Sequence, residues 1–330
     1  MMLKQETSEP KVSIVIPVKS FNEDLVECLR CCQELDYPDF EILVLLDDCK
    51  TRDFPKTRFI STGSVGPAEK RDLSLKYATG EILAFLDDDA YPMTNWLKNA
   101  VAHFGSPAVA AVGGPAITPK NSSLYQKASA AVFESRIGAG NARSRYVPTG
   151  SVREVDDWPS VNLLIKKDTF EKVGGFNSSF WPGEDTKLCF DITQKLGKKI
   201  IYDPKVVVWH HRRRSFMGHL RQVANYALHR GYFVKKFPET SRRLSYFIPT
   251  IFAMSLMAGL ILAFVNEVFA TIFAFGIGIY LFTLILTSLA VSKKARNIAV
   301  GFLTLPAIFL THLFYGFYFA KGLLTKELKR

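Results

Sequence analysis

The last third of this chain consists of three long apolar segments, and these constrain its fold more than any other feature. They cover residues 244–265, 268–291 and 298–324, and charged residues are almost absent within them. A hydrocarbon layer of about 30 Å is crossed by about 20 helical residues, so each segment is long enough to span it. We therefore predict a transmembrane region of α-helices over residues 244–330.

Basic residues near these segments predict their orientation. Lys293, Lys294 and Arg296 separate the second segment from the third. Because positively charged loops stay in the cytoplasm, we expect the first two segments to form a hairpin in the cell (inner) membrane, with the preceding part of the chain in the cytoplasm. A third complete span would place the basic tail outside. We expect three spanning helices, but a re-entrant or interfacial third segment is the alternative, because Pro306 and His312 interrupt it and the basic tail argues for an inside C-terminus.

The net charge of +11 comes largely from basic clusters beside the apolar segments. Within residues 212–243, aromatic and apolar positions alternate with arginine, lysine and histidine. This pattern predicts an amphipathic, basic interface helix in the headgroup plane of the membrane. No nucleic-acid motif accompanies the charge, so we expect membrane lipids as partners and no nucleic acid. Residues 1–10 are a polar tail without the apolar core of a signal peptide.

Short apolar runs and helical patterns alternate between residues 12 and 89. The runs most typical of buried strands are residues 12–17, 40–46 and 82–86. Such alternation predicts an α/β domain with a parallel sheet and helices on both faces, which we extend over residues 11–211. Within it, residues 121–144 are polar and rich in small side chains, and we predict a mobile segment there.

Three consecutive carboxylates, Asp87, Asp88 and Asp89, follow the apolar run at residues 82–86. Acidic triplets in exposed turns are often only solvated charge. Here the triplet lies at the carboxyl end of a predicted parallel strand, the edge of an open α/β sheet where ligands bind. Its position therefore favours a cation site for a phosphorylated substrate.

An ordered series of motifs resembles family 2 glycosyltransferases with a GT-A fold. The motifs lie within residues 11 to about 215, and any one of them alone is weak. They are Ser13–Pro17 with Asn22-Glu23, Leu46-Asp47-Asp48, Ala68–Asp72, Asp87-Asp88-Asp89, Gly174-Gly175-Phe176 and Gly183-Glu184-Asp185. The resemblance implies a GT-A (Rossmann-like) nucleotide-sugar-binding domain, followed in this chain by the interface helix and the transmembrane helices.

The resemblance also implies which residues bind the donor. Its nucleotide side would include Pro17, Asp48, Arg71, Asp87 and Asp88. Asp48 matches a position that accepts a hydrogen bond from the base, and a carboxylate can accept from the imide N–H of uracil or thymine, so we expect a UDP-sugar or dTDP-sugar before a GDP-sugar.

A metal site is implied at the same place. Asp89 would be the principal ligand of Mn²⁺ or Mg²⁺, assisted by Asp87, while Asp88 orients the donor sugar or the sheet end. His210 would be a further ligand, with its neighbour His211 as the other possibility. A phosphate or lipid-headgroup surface explains this histidine pair equally well, because Arg212, Arg213 and Arg214 follow it.

By the same resemblance, Asp185 would be the catalytic base. An inverting transfer needs a base that takes the proton from the attacking hydroxyl group, and a structural role at a helix start is compatible with this. Glu184, Trp181 and Trp158 would lie on the acceptor side, although simple packing explains the two tryptophans equally well. One departure concerns the donor: Asp72 stands where the family commonly has Asn.

Together these features predict an inverting, metal-dependent glycosyltransferase. It would move a sugar from a nucleotide-sugar to a hydroxyl group of a membrane lipid-linked (polyprenyl) glycan in surface polysaccharide biosynthesis. The alternatives are transfer to polyprenyl phosphate itself and, in another class, a catalytically inactive membrane scaffold. A processive synthase is disfavoured because the Gln-x-x-Arg-Trp motif is missing from the sequence.

Overall fold

The computed structural model of the protein describes residues 9–48 and 53–328. Most of the predicted N-terminal tail, residues 1–8, and the last two residues of the basic tail lie outside the described residues. The chain forms two compact units. The first comprises residues up to Ile117 together with Val147–His210, and the second comprises Thr118–Tyr146 together with the chain from His211 onward.

The first unit is an α/β domain. Its strands are β1 (Val12–Pro17), β2 (Phe40–Leu46), β3 (Thr57–Ser61), β4 (Ile82–Leu86), β5 (Ala90–Pro92), β6 (Val109–Gly113), β7 (Ala116–Ile117), β8 (Arg153–Val155), β9 (Asn162–Lys166), β10 (Lys199–Tyr202) and β11 (Val208–His210). Its helices are α1 (Glu23–Gln33), α2 (Pro67–Leu73), α3 (Trp96–Val101), α6 (Lys167–Lys172) and α7 (Glu184–Phe190), which continues as a π-helical turn over Asp191–Lys195.

Eight strands form the main sheet of this unit, in the order β3-β2-β1-β4-β9-β6-β10-β8. The first four are mutually parallel, as the alternating pattern of residues 12–89 predicts. Strand β9 runs antiparallel to both β4 and β6. Apolar side chains from both faces of the sheet form two buried clusters. A second sheet has the strand order β5-β11-β7. Its strand β5 follows β4 closely in the sequence, and the sheet carries part of the candidate site.

The second unit is helical. Its helices are α4 (Leu124–Glu134), α5 (Arg136–Ala139), α8 (Phe216–Lys236), α9 (Pro238–Ser241), α10 (Leu244–Ala263), α11 (Glu267–Ala295) and α12 (Ile298–Leu324). The last three have the length and composition of membrane spans. They correspond to the three predicted apolar segments, and α8 lies within the predicted interface segment at 212–243.

The prediction of a mobile segment at residues 121–144 is wrong, because α4 occupies its centre. Ser123 and Gln126 form a capping box, in which each side chain bonds the other residue's backbone N–H. The Gln126 side chain also donates to the carbonyl of Arg212 at 2.8 Å. Small residues such as Ala128 and Ala131 are buried in this helix, and Val132 packs with Ile308 of α12. The small side chains thus permit close helix packing.

Candidate active site

The three carboxylates of residues 87–89 follow β4, all five residues of which are buried. The chain then turns directly into β5, which pairs with β11 so that Ala90 lies opposite His210. Strand register therefore brings His210, more than a hundred residues later in the chain, beside Asp89. Sequence analysis left His210 and His211 open, and of the two the structure brings His210 to the carboxylates.

Asp87, Asp89 and His210 form a group whose potential ligand atoms lie within 4.8 Å of one another. His210 Nε2 is 3.2 Å from Asp89 Oδ1. Neighbouring ligands in an octahedral site with bonds of about 2.1 Å are about 3 Å apart, so this pair already has a suitable separation. Two carboxylates with one imidazole fit Mn²⁺ well, and Mg²⁺ would rely mainly on the carboxylates.

Asp88 faces a different partner from its neighbours. Its Oδ2 accepts a hydrogen bond of 2.7 Å from Asn22 Nδ2, while Asn22 Oδ1 accepts from the backbone N–H of Leu25 and caps α1. Burial raises the pKa of Asp88 to about 6, and repulsion from Asp89 and Asp87 adds to this against the opposing bond from Asn22. Asp88 thus ties the end of β4 to the start of α1.

Arg71 links the carboxylate triplet to the first residue of α7. Its Nη2 lies 2.6 Å from Asp87 Oδ1, and its Nη1 lies 3.4 Å from Glu184 Oε1. The guanidinium is almost fully buried and lies 5.4 Å from the centre of the Phe176 ring. In a buried setting this ion pair fixes the relative positions of Asp87 and Glu184.

The two carboxylates of the Gly183-Glu184-Asp185 motif have different environments. Gly183 has a φ of 113°, which favours glycine, and it turns the chain into α7. Glu184 is buried, and desolvation raises its pKa to about 7, with repulsion from Asp185 adding to the shift and Arg71 opposing it. Asp185 is half-buried, and its Oδ1 accepts from the backbone N–H of Thr186 at 2.8 Å.

The other predicted donor residues lie at the ends of β1 and β2. Pro17 is the last residue of β1 and is buried. Asp48 follows β2 and is exposed, so its carboxylate is free to meet a ligand from solvent. Its neighbour Asp47 instead contacts the buried Lys70, whose ammonium also donates to the carbonyl of Val18 at 2.5 Å. The Lys70 contact holds the pKa of Asp47 below its usual range.

The two predicted acceptor-side tryptophans differ sharply. Trp181 is 70% exposed in the loop before Gly183 and can contact a ligand. Trp158 is 2% exposed, its indole N–H donates to the carbonyl of Gly114 at 3.1 Å, and its ring packs on Tyr202. Its side chain is thus enclosed in the core, and its assignment to the acceptor side is corrected to the packing alternative.

Asp72 has a structural role that sequence analysis missed. Its carboxylate accepts hydrogen bonds from the backbone N–H groups of Phe176 and Asn177, at 2.7 and 3.0 Å. Gly175, at φ 76°, lies so close to this carboxylate that any side chain there would collide with it. The departure from Asn therefore supplies two acceptor oxygens to the Gly174-Gly175 turn. The only signal of this role in the sequence is that Asp72 stands where the family commonly has Asn.

Comparison with known proteins agrees with this fold. The family model for Glycosyl transferase family 2 matches residues 13–154. A pre-mycofactocin glycosyltransferase of Mycobacterium tuberculosis is 29% identical over 163 residues, which cover 49% of this chain and 34% of that protein. The chain thus spans about a third of the length of the first curated relatives it matches.

Two further proteins match nearly the whole chain. A dolichyl N-acetyl-alpha-D-glucosaminyl phosphate 3-beta-D-2,3-diacetamido-2,3-dideoxy-beta-D-glucuronosyltransferase of Methanococcus voltae is 23% identical over 95% of this chain and 97% of its own. The structure of a mannosyltransferase from Pyrobaculum calidifontis, in complex with GDP-Man and Mn²⁺, is similar with a TM-score of 0.62 and 20% identity, over 97% of this chain and 89% of the other. The fold is thus of the GT-A type, and residues 13–154 match the family model of glycosyl transferase family 2.

Proposed function

We propose that the protein is an inverting, metal-dependent glycosyltransferase that moves a sugar from a nucleotide-sugar to a hydroxyl group of a membrane lipid-linked glycan. The observation that carries this proposal is the convergence of Asp87, Asp89 and His210 at the end of β4. The Arg71 ion pairs connect this group to the start of α7, which holds Asp185. The site therefore combines a cation-binding face with a candidate base.

The residues for the cofactor are Asp89, Asp87 and His210, with Mn²⁺ as the first choice and Mg²⁺ as the alternative. When bound, the divalent cation supplies Lewis-acid stabilisation of the diphosphate leaving group. Binding would draw on the negative charge of Asp87 and Asp89, and Arg71 would limit the repulsion at Asp87 in the free protein. Asp88 would contribute by holding the end of β4 to Asn22.

Asp185 is the base in this proposal. It is half-buried at the start of α7. Its carboxylate, the proton acceptor, is held in place by the hydrogen bond that the Thr186 N–H donates to it. A hydroxyl acceptor must lose its proton as it attacks, and a positioned carboxylate can accept that proton. A phosphate acceptor is already ionised, so the base favours a glycan hydroxyl over polyprenyl phosphate. Trp181 and Glu184 would border the acceptor side.

For the donor we propose a UDP-sugar first. The exposed Asp48 at the end of β2 is the residue that would accept from the imide N–H of uracil, and a dTDP-sugar offers the same group. The Pyrobaculum calidifontis mannosyltransferase is bound to GDP-Man, which makes a GDP-sugar the competing donor.

For the acceptor and the location we propose a polyprenyl-linked glycan at the cytoplasmic face of the cell (inner) membrane, in surface polysaccharide biosynthesis. Two observations support this: the long apolar helices α10 and α11, and the Methanococcus voltae relative, whose name describes a dolichyl-phosphate-linked acceptor. The basic residues on α8 would contact anionic lipids.

A donor panel tests the proposal. Purified full-length protein is incubated with Mn²⁺, a lipid extract and labelled UDP-, dTDP- or GDP-sugars. The lipid products are then identified by mass spectrometry. We expect one sugar residue to be added to a lipid-linked oligosaccharide, with inverted anomeric configuration. A product of polyprenyl phosphate plus one sugar would favour the alternative acceptor. Failure of every donor, in a protein that is folded, would favour the inactive scaffold.

A further inference from the structure

Helices α10 and α11 form a hairpin, and the half of it that includes the turn at Asn266 is exposed. Asn266 caps α11 at the turn between them, and the two helices meet through Phe252 with Tyr280 and through Gly259 with Phe273. Among the described residues 254–279, which include this turn, none is buried. Phe264 and Phe275, for example, are 87% and 72% exposed.

Helix α12 contacts the other half of the hairpin. Along α11, Gly301 lies against Ser288 and Ser292, Ile308 packs with Leu284, and His312 bonds the Tyr280 hydroxyl at 2.9 Å. These contacts lie in the half of α11 nearer to Ala295.

The second half of α12 then meets the beginning of α10. Gly316 lies against Pro249 and Ala253, its carbonyl accepts from the Thr250 hydroxyl at 2.9 Å, and Phe319 packs on Phe247. From Gly301 to His312 the helix thus approaches the middle of the hairpin, and from His312 to Phe319 it returns toward the end where α10 begins. A third span would instead continue along the exposed half of the hairpin toward the Asn266 turn.

The lengths of the helices agree with this arrangement. The 20 residues of α10 measure about 30 Å, which matches the hydrocarbon layer. The 29 residues of α11 measure about 43 Å, so about nine residues extend beyond that layer. Contacts of α11 with Gly301, and the ion pair of Lys294 with Glu134 at 2.6 Å, lie in this extension.

Helix α8 runs beside the second half of α12 in the same direction. His219 bonds Thr311 at 2.9 Å, Gly231 lies against the backbone at Phe319, and Lys235 donates to the carbonyl of Thr325 at 2.6 Å. Arg221, Lys235 and Lys236 of α8 are exposed. A helix with this many exposed cations belongs at the headgroups and not in the hydrocarbon, and it holds the second half of α12 at the same level.

From these contacts we infer that the α10–α11 hairpin alone crosses the bilayer and that α8 and α12 form a lipid-headgroup-binding layer at its base. The C-terminus then lies on the same side of the membrane as Leu244, opposite to the Asn266 turn. Lys293, Arg296 and Lys326 are thereby all on one side, where anionic lipids can bind them. This inference relies on insertion of the chain into a membrane and is independent of the sugar chemistry.

Side-specific labelling tests it in the full-length protein. Val265→Cys places a thiol at the exposed hairpin turn, and Lys326→Cys places one beyond α12. Spheroplasts are treated with a membrane-impermeant maleimide before or after permeabilisation, and labelled peptides are identified by mass spectrometry, so the native cysteines need no replacement. The two sites are expected on opposite sides: one labels before permeabilisation and the other only after.

Labelling of both sites from the outside, or of neither, would overturn the inference. The first result is that of three complete spans, and the second that of a hairpin which does not cross. Phe275→Cys is the control, because a thiol in the hydrocarbon layer should resist the reagent in both conditions. Sugar transfer by each variant, measured separately, distinguishes failure of this topology from failure of the proposed activity.

Discussion

Glu184 and Asp185 are adjacent in the chain, yet their surroundings assign them different tasks. Glu184 is buried against Arg71, whereas Asp185 is half-buried and its carboxylate is oriented by the Thr186 N–H. A base must meet the acceptor, so Asp185 suits that role, and Glu184 suits the role of positioning Arg71.

Replacement of Asp185 by Asn should abolish the base and leave the donor site intact. We expect the transfer rate to fall by at least about 100-fold, because general base catalysis contributes 10²–10⁴-fold. Binding of the nucleotide-sugar, measured by isothermal titration calorimetry, should change little. Loss of binding together with transfer would instead assign Asp185 to the donor site.

Glu184 should make the stability of the protein depend on pH. Its pKa rises from 4.5 to about 7 on folding, so the folded state holds a proton that the unfolded state releases between these values. Stability is therefore expected to fall as pH rises from 4.5 to about 7 and to level off above this. Thermal unfolding of the protein without donor or divalent cation measures the effect, and the Glu184→Gln variant should lack this contribution. An equal slope in both proteins would contradict it.

At the scale of elements, the sequence predicts what local pattern determines. Strands β1, β2 and β4 are continuous apolar runs, as expected of buried parallel strands, and their parallel direction is confirmed. The antiparallel direction of β9 is not encoded in its own residues, because it depends on the long connection before it. The bonds from Asn22 to Asp88 and from Phe176 to Asp72 join distant segments, so no local pattern reveals them. Helix α4 was missed because small residues are common in mobile loops. Here they instead allow close helix packing, which the sequence pattern alone does not reveal.

The turn at Gly174-Gly175 should depend on Asp72. Asp72→Ala leaves the N–H groups of Phe176 and Asn177 without their acceptor, at a cost of about 1–3 kcal/mol of folding free energy. Asp72→Asn retains one acceptor oxygen and should lose less. Thermal unfolding of the two variants gives the order, and equal stability of Asp72→Ala and the wild type would refute the role.

The packing of α8 on α12 should depend on Gly322. A side chain at this position would collide with the backbone at Leu228, so Gly322→Val is expected to destabilise the helical unit by about 1–3 kcal/mol. Gly276→Val is the matched control, because a Cβ there meets no atom within 4 Å. Detergent-solubilised variants are compared by thermal unfolding. An equal loss of stability in both variants would show that the close approach of α8 to α12 does not contribute to the stability of the helical unit.

At the scale of the whole molecule, the two units divide the work. The α/β unit holds the carboxylates, His210 and Asp185, while the helical unit carries the apolar helices and the basic surface of α8. The composition of residues 244–324 predicts the helices, but it cannot predict their arrangement, because α12 is as apolar as a span and differs from α10 and α11 in its contacts.

Metal-dependent sugar transfer is the most direct test of the proposed function. The full-length protein is stripped with a chelator, and transfer of labelled sugar from the active donor to lipid-linked acceptor is measured as Mn²⁺ is restored. We predict transfer that rises with Mn²⁺ in the wild type and is lost in Asp89→Ala at every Mn²⁺ concentration. Transfer by the stripped wild type that equals its transfer with Mn²⁺, or Mn²⁺-dependent transfer by Asp89→Ala that equals that of the wild type, would contradict a catalytic cation at Asp87, Asp89 and His210.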